Sequence, residues 1–182
     1  MGGNGPRIWT PTVVTTTGGI DDHELFAKAI LTRAMSLSED PSRETIVVTA
    51  HGAGSDARND SWKKTLDSLT DQMKTHGGDQ FKAIHSGTWR EDWPDKRDPE
   101  IAEIRGFVEA GSQNGGRVIV VPARTTLVGP EAELLEGLDF VLGSGFAPSA
   151  EFTEWVESQI LAGAAQLGVH SSDSSSETDA SA

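Results

Sequence analysis

Cysteine is missing from this 182-residue chain. Its absence excludes disulfides, thiol enzymes, zinc ribbons and cysteine-ligated clusters. Long apolar runs are also missing, and none approaches the roughly 18 residues that a membrane-spanning helix needs. Positive charge is scarce, with 15 Lys and Arg against 28 Asp and Glu and a formal net charge of −13. A chain so acidic is a poor partner for nucleic acid or for an anionic membrane surface, so neither is expected. The acidity itself is read as solubility and identifies no partner. Residues Met1 to Pro11 lack the basic start and apolar run of a secretory signal. Together with the missing cysteine, this predicts a cytoplasmic protein. Several phosphate and nucleophile motifs are missing too. Gly52-Ala53-Gly54 is not followed by Gly-Lys-Ser/Thr, and there is neither a G-x-G-x-x-G after a strand nor a G-x-S-x-G elbow.

What is present is an alternation of strand and helix patterns. Thr12 to Thr16 is a short β-rich run ended by Gly18-Gly19. Asp21 or Asp22 can cap a helix whose apolar positions Leu25, Phe26, Ala29, Ile30, Ala34 and Leu37 follow the 3.6 period, with closure at Asp40-Pro41. Thr45 to Ala50 is the clearest strand, almost continuously apolar or β-branched, as a strand covered on both faces should be. Trp62, Leu66, Leu69 and Met73 mark the helix after it, which His76-Gly77-Gly78 stops. Phe81 to Gly87, Val118 to Val121 and Leu138 to Leu142 are further strands. Helices are marked by Ile101, Ile104, Phe107 and Val108, and at the end by Phe152, Trp155, Val156 and Ile160. This order predicts an α/β protein: a parallel four-stranded sheet flanked by helices in a three-layer αβα sandwich. Residues 171–182 have nothing to bury and are expected to form a disordered acidic tail.

Ligands of open parallel sheets sit beyond the carboxyl ends of the strands. That rule selects His51 to Ser55, Trp89 to Trp93 and Arg124 to Glu131. His51 can bind a metal or exchange protons near neutral pH, with Gly52 and Gly54 letting the backbone turn sharply beside it. The plainer alternative is a histidine bonded at a strand end for structural reasons. Glu131 can face an imidazole across a crevice as a metal ligand or a base. It can equally favour the first turn of a short helix, as Glu133 and Glu136 can. Arg90 and Arg124 can hold substrate carboxylates by bidentate pairing, or they can balance Glu91 and Asp92. Trp89 and Trp93 can stack on a flat ring or simply pack. His23, His76, His85 and His170 carry no comparable signal.

These segments, in this order, resemble the sirohydrochlorin cobalt/iron chelatase family, the class II chelatases. Ile46-Val47-Val48-Thr49-Ala50-His51-Gly52 is similar to the family's strand and His-Gly turn, with Asn59 and Trp62 in the helix that follows. Thr88-Trp89-Arg90-Glu91-Asp92 resembles a Leu-Arg-Asp-Asp loop. Val118 to Glu131, continuing through Leu135-Glu136-Gly137-Leu138, resembles a stretch of longer members, as does Gly19 to Leu25. The resemblance spans about residues 12 to 160. It implies insertion of Co²⁺ or Fe²⁺, as substrate and with no organic cofactor, into a sirohydrochlorin-type tetrapyrrole in cobalamin or siroheme biosynthesis. His51 then matches the metal-binding, proton-accepting histidine. Glu131 stands where the small form of the family has its second histidine, which makes His51 and Glu131 the implied catalytic and metal-binding pair. Arg90, Arg124 and Trp89 are the implied substrate contacts. Because such enzymes work as two facing α/β lobes, residues 1–43 read as a leader with the remnant of a first lobe. Residues 44–163 read as one chelatase-like lobe and 164–182 as the tail, and a homodimer would supply the facing half. Two alternatives stay open: a non-catalytic tetrapyrrole- or metal-binding module, and an unrelated flavodoxin-like binding domain.

Overall fold

The computed structural model describes residues 14–17 and 21–168. Five α-helices and four strands alternate among them: α1 Glu24–Met35, β1 Glu44–Ala50, α2 Asp56–Thr75, β2 Ala83–Thr88, α3 Pro94–Ser112, β3 Arg117–Pro122, α4 Glu131–Leu134, β4 Val141–Leu142 and α5 Ala150–Gln166. The chain divides into two units. The larger, Ile20–Trp155, holds the sheet; the smaller is Met1–Gly19 with Val156–Ala182. In the smaller unit Thr15 hydrogen-bonds Gln166 near the end of α5. The leader 1–11, the Gly18-Gly19 turn and residues 169–182 of the tail lie outside the described residues. Of the β-rich run, only Val14 to Thr16 are described, and they form no strand.

The sheet is wholly parallel, in the order β2-β1-β3-β4. Period-two alternation explains its two buried faces. Ile46, Val48, Ile119 and Val121 join a core with α1 and α2, while Val47, Val118 and Val120 join one with Ile104 and Val108 of α3. The result is the expected three-layer sandwich. Helix α1 packs in the same core as β1, so the boundary expected at residue 43 does not coincide with a break in the packing. At the base of the sheet, the buried Glu44 carboxyl accepts from Arg117 at 2.6 Å. Burial alone would raise its pKa, but the hydroxyl of Ser38, the amide of Glu39 and Arg117 together hold it below the usual range.

Three local expectations are corrected. The cap of α1 is His23, whose Nδ1 accepts from the Leu25 amide at 3.2 Å, while Asp22 instead accepts from Ser68 on α2. Helix α1 stops at Met35 rather than near Asp40, as Leu37 and Ser38 turn back onto the carbonyls of Ala34 and Met35. The last strand shrinks to Val141–Leu142, because Leu138 still belongs to a turn closed on Leu135 around Gly137, at φ 84°.

Candidate functional site

Register decides which loops meet. Ala50 lies opposite Thr88, and Thr49 opposite Pro122, so β1, β2 and β3 end at one rim. The β1–β2 pairing continues beyond the strands, with the Trp89 amide donating to Ala50 O at 2.9 Å and the Arg90 amide to His51 O at 2.8 Å. The loop after β2 is thereby fastened beside His51.

His51 is exposed, with 43 % of its side chain accessible. Its Nε2 lies 3.0 Å from Asp92 Oδ2 and 3.7 Å from Glu91 Oε1, and its Nδ1 lies 3.1 Å from the Gly52 carbonyl. Trp93 meets the ring edge-on at 5.5 Å between centroids. Both ring nitrogens therefore face acceptors, an arrangement satisfied on both sides only when both carry protons. Burial pulls the imidazole pKa down. The Gly52 carbonyl and the charges of Glu91 and Asp92 outweigh it and hold the group above the ordinary histidine value. The geometry thus favours a histidine that keeps a proton once it has taken one.

The turn that carries His51 admits no side chain. Gly52 has φ +80°, and a Cβ there would lie 2.6 Å from Asn59 Oδ1 and 2.8 Å from Thr88 Cβ. At Gly54 a Cβ would lie 2.5 Å from the indole nitrogen of Trp93. A polar network underneath braces the loop. Buried Asn59 accepts from the Ala53 amide at 3.1 Å and donates to Glu100 at 3.2 Å. Glu100 also takes Lys63 at 2.7 Å and the Thr88 hydroxyl at 3.2 Å. Burial would lower the Lys63 pKa, but Glu100 and Glu103 outweigh it and raise it.

The sequence-predicted residues fall into different environments. Arg90 is buried, at φ 51°, and donates to the Gly54 carbonyl at 2.9 Å and to Asp56 at 2.8 Å. It is a brace of the His51 loop and does not present a free fork to solvent. Trp89 is buried too, its indole N–H donating to Glu131 Oε1 at 3.2 Å. Glu131, only 2 % exposed, also accepts from the Thr49 hydroxyl at 3.0 Å and the Gly129 amide at 2.6 Å. Its carboxyl is thus enclosed by three donors, and the carboxylates against His51 are Glu91 and Asp92. The expected His51/Glu131 contact is replaced by a His51/Asp92 contact. β1 lies between β2 and β3, and it is the loop after β2 that sets Asp92 and Glu91 against the imidazole, while Glu131, after β3, points into its own enclosure. Arg124 alone of the predicted cations is exposed; its guanidinium makes no ion pair or hydrogen bond among the described residues, and its Nη1 lies beside Gly129 on the side of the Glu131 carboxylate. It lines a cleft of about 480 Å³ between α1 and α2, in which His51 takes no part. No group of three or more His, Cys, Asp or Glu is placed to hold a metal ion among the described residues.

Sequence reasoning placed Glu91 and Asp92 in a rim segment and in the loop that carries the resemblance, but gave them no role beyond balancing arginine. Their position directly after the strand that neighbours β1 was the usable signal, but sheet order is needed to exploit it. Asn59 had a signal only through the family resemblance.

No family model matches the chain, and no curated protein matches it. Among solved structures, it is similar to a Deinococcus radiodurans protein described as multi-domain, with structural similarity to chelatases and two additional novel domains. The match has a TM-score of 0.50 at 18 % identity and covers 76 % of this chain and 29 % of that one. The fold is accordingly a chelatase-like three-layer α/β fold, and the chain spans under a third of that larger protein's length.

Proposed function

We propose that this chain is a chelatase-type lobe that promotes insertion of a divalent metal, Co²⁺ or Fe²⁺, into a sirohydrochlorin-type tetrapyrrole. The observation that carries the reading is His51. Its imidazole is exposed at the rim of the sheet, with Asp92 and Glu91 on Nε2 and the Gly52 carbonyl on Nδ1. Insertion breaks two ring N–H bonds, forms metal–nitrogen bonds in their place and releases two protons. Neutral His51 accepts one of these, and the neighbouring carboxylates stabilise the imidazolium so formed. The second proton leaves through Asp92 or Glu91 to solvent. Before transfer, His51 serves as a transient ligand of the incoming metal. Enclosed as it is, Glu131 acts from behind, by holding the Gly129 loop and Trp89. Arg124 is the cation left to meet a ring carboxylate. A second copy of the chain would supply the facing half of the site, and the pathway would be cobalamin or siroheme biosynthesis. No described helix is long and apolar enough to cross a membrane, and the reading places the protein in the cytoplasm.

The test is an anaerobic absorbance assay with sirohydrochlorin and Co²⁺. The wild-type chain should accelerate metal insertion over the spontaneous rate, and His51→Ala should lose about 10²-fold or more, the usual weight of a general base. Absence of acceleration, or equal rates for both proteins, would overturn the reading. One second reading is a module that binds the ring without turnover, which the enclosure of Glu131 by three donors, away from solvent, favours. Saturable ring binding with no acceleration would support it.

A further inference from the structure

The cleft between α1 and α2 is not needed by the chemistry at His51, yet it is shaped for a ligand. Its volume, about 480 Å³, lies within the range of about 300–1,000 Å³ typical of small-molecule sites. Phe26 and Ile30 of α1 and Leu66 and Leu69 of α2, packed together in the core, underlie it. Phe146 adds a further ring. Where the strands end, the lining residues are Ala50 and Ala123, whose small side chains leave the floor open. Trp62 also lines the cleft and leaves 42 % of its surface exposed, a flat apolar surface available for stacking.

Two charges meet this apolar lining, Arg124 and Asp21. Arg124 has no partner among the described residues, although the chain carries 28 acidic side chains. An unpaired guanidinium at an apolar cleft is suited to a carboxylate, which it can grip with two parallel N–H bonds. Asp21 disfavours a second anionic group on the same ligand.

We propose that this cleft is a binding site for an apolar-bodied monocarboxylate, with its ring or chain against Trp62 over the seam of α1 and α2 and its carboxylate on Arg124. The site goes beyond the metal-insertion reading. It needs neither metal nor macrocycle and shares only Arg124 with that reading.

Titration calorimetry of the full chain with 2-naphthoate and with its neutral counterpart 2-naphthalenemethanol tests the site. The acid should bind saturably at one site and at least about tenfold more tightly than the alcohol, the weight of a charge-assisted hydrogen bond. Arg124→Gln should remove that preference while leaving the alcohol's affinity unchanged. Ala123→Leu should fill the floor and abolish binding of both; Leu66→Trp serves the same end if the first variant does not fold. His51→Ala should bind 2-naphthoate like the wild type, so failure of the His51 chemistry and failure of this site are separate results. No saturable heat at millimolar ligand, or equal affinity for acid and alcohol, would overturn the proposal. So would an Arg124→Gln variant that keeps the preference.

Discussion

His51 follows β1 and Glu131 follows the loop after β3, two strands that are direct neighbours in the sheet. They nevertheless occupy opposite environments. The Glu131 carboxyl is buried and takes three donors from Thr49, Trp89 and Gly129. The His51 imidazole is exposed and pinned from the side by acceptors. Removing a buried acceptor strands every donor aimed at it, whereas removing an exposed imidazole strands nothing that water cannot satisfy. The first region holds the rim in shape, and the second is the part free to react.

Substitutions can sharpen or break this contrast. The largest expected effect is Glu131→Ala, which leaves three donors and a void and should cost about 3 kcal/mol by urea denaturation. Glu131→Gln, which keeps an acceptor, should lose less. A cost below about 0.5 kcal/mol for the alanine variant would remove the distinction between the two regions. Arg90→Met should follow at about 2 kcal/mol, since it leaves the Gly54 carbonyl and Glu100 short of a partner beneath the His51 loop. Gly52→Ala should cost about 1–3 kcal/mol from its positive φ and the close approach to Asn59. If the His51 loop is braced as described, either variant should also disturb the His51 ring resonances in NMR spectra.

His51→Ala should change stability by under about 0.5 kcal/mol, checked by the same denaturation. Its effect belongs to the assay with the tetrapyrrole. The pH dependence has a definite sign. The folded value of His51 is raised above the ordinary 6.5, so the charged form is favoured in the folded chain. The small stabilisation from this group is complete below the unfolded value and is lost as pH rises through the folded one. An NMR titration should find Asp92→Asn shifting the His51 midpoint downward. His85 is the internal contrast. It stacks on Phe107 at 4.4 Å, and burial and then Lys74 lower its pKa. Its contribution is present above the unfolded value and is lost as pH falls through the folded one, so the two histidines should titrate on opposite sides of 6.5.

Much of the fold was legible because its signals are local. The β-branched run at Thr45 to Ala50 reads as a buried strand without reference to any other residue, and the 3.6 spacing of Trp62, Leu66, Leu69 and Met73 reads as a helix. The short strand at Val141–Leu142 was overextended because Leu138 and Phe140 are apolar for another reason, packing on the α3 core. The His23 cap was missed because an imidazole acceptor is a less usual cap than the adjacent aspartates. The site was legible in location and less so in its pairings. The three rim segments were identified by their place after strands, but which side chain turned inward was not. Arg90 and Trp89, which the sequence leaves open between ligand contact and internal pairing or packing, are buried and bonded within the rim.

The sequence by itself determined the strand–helix alternation, the parallel three-layer class and the position of His51 at a strand end, since periodicity and composition act over a few residues. Only the tertiary structure decided that His51 meets Asp92 and Glu91, that Glu131 is enclosed and that Arg124 lines an apolar cleft. Those outcomes depend on the sheet order β2-β1-β3-β4 and its register. Both arise from long-range packing between segments whose contacts no local pattern encodes.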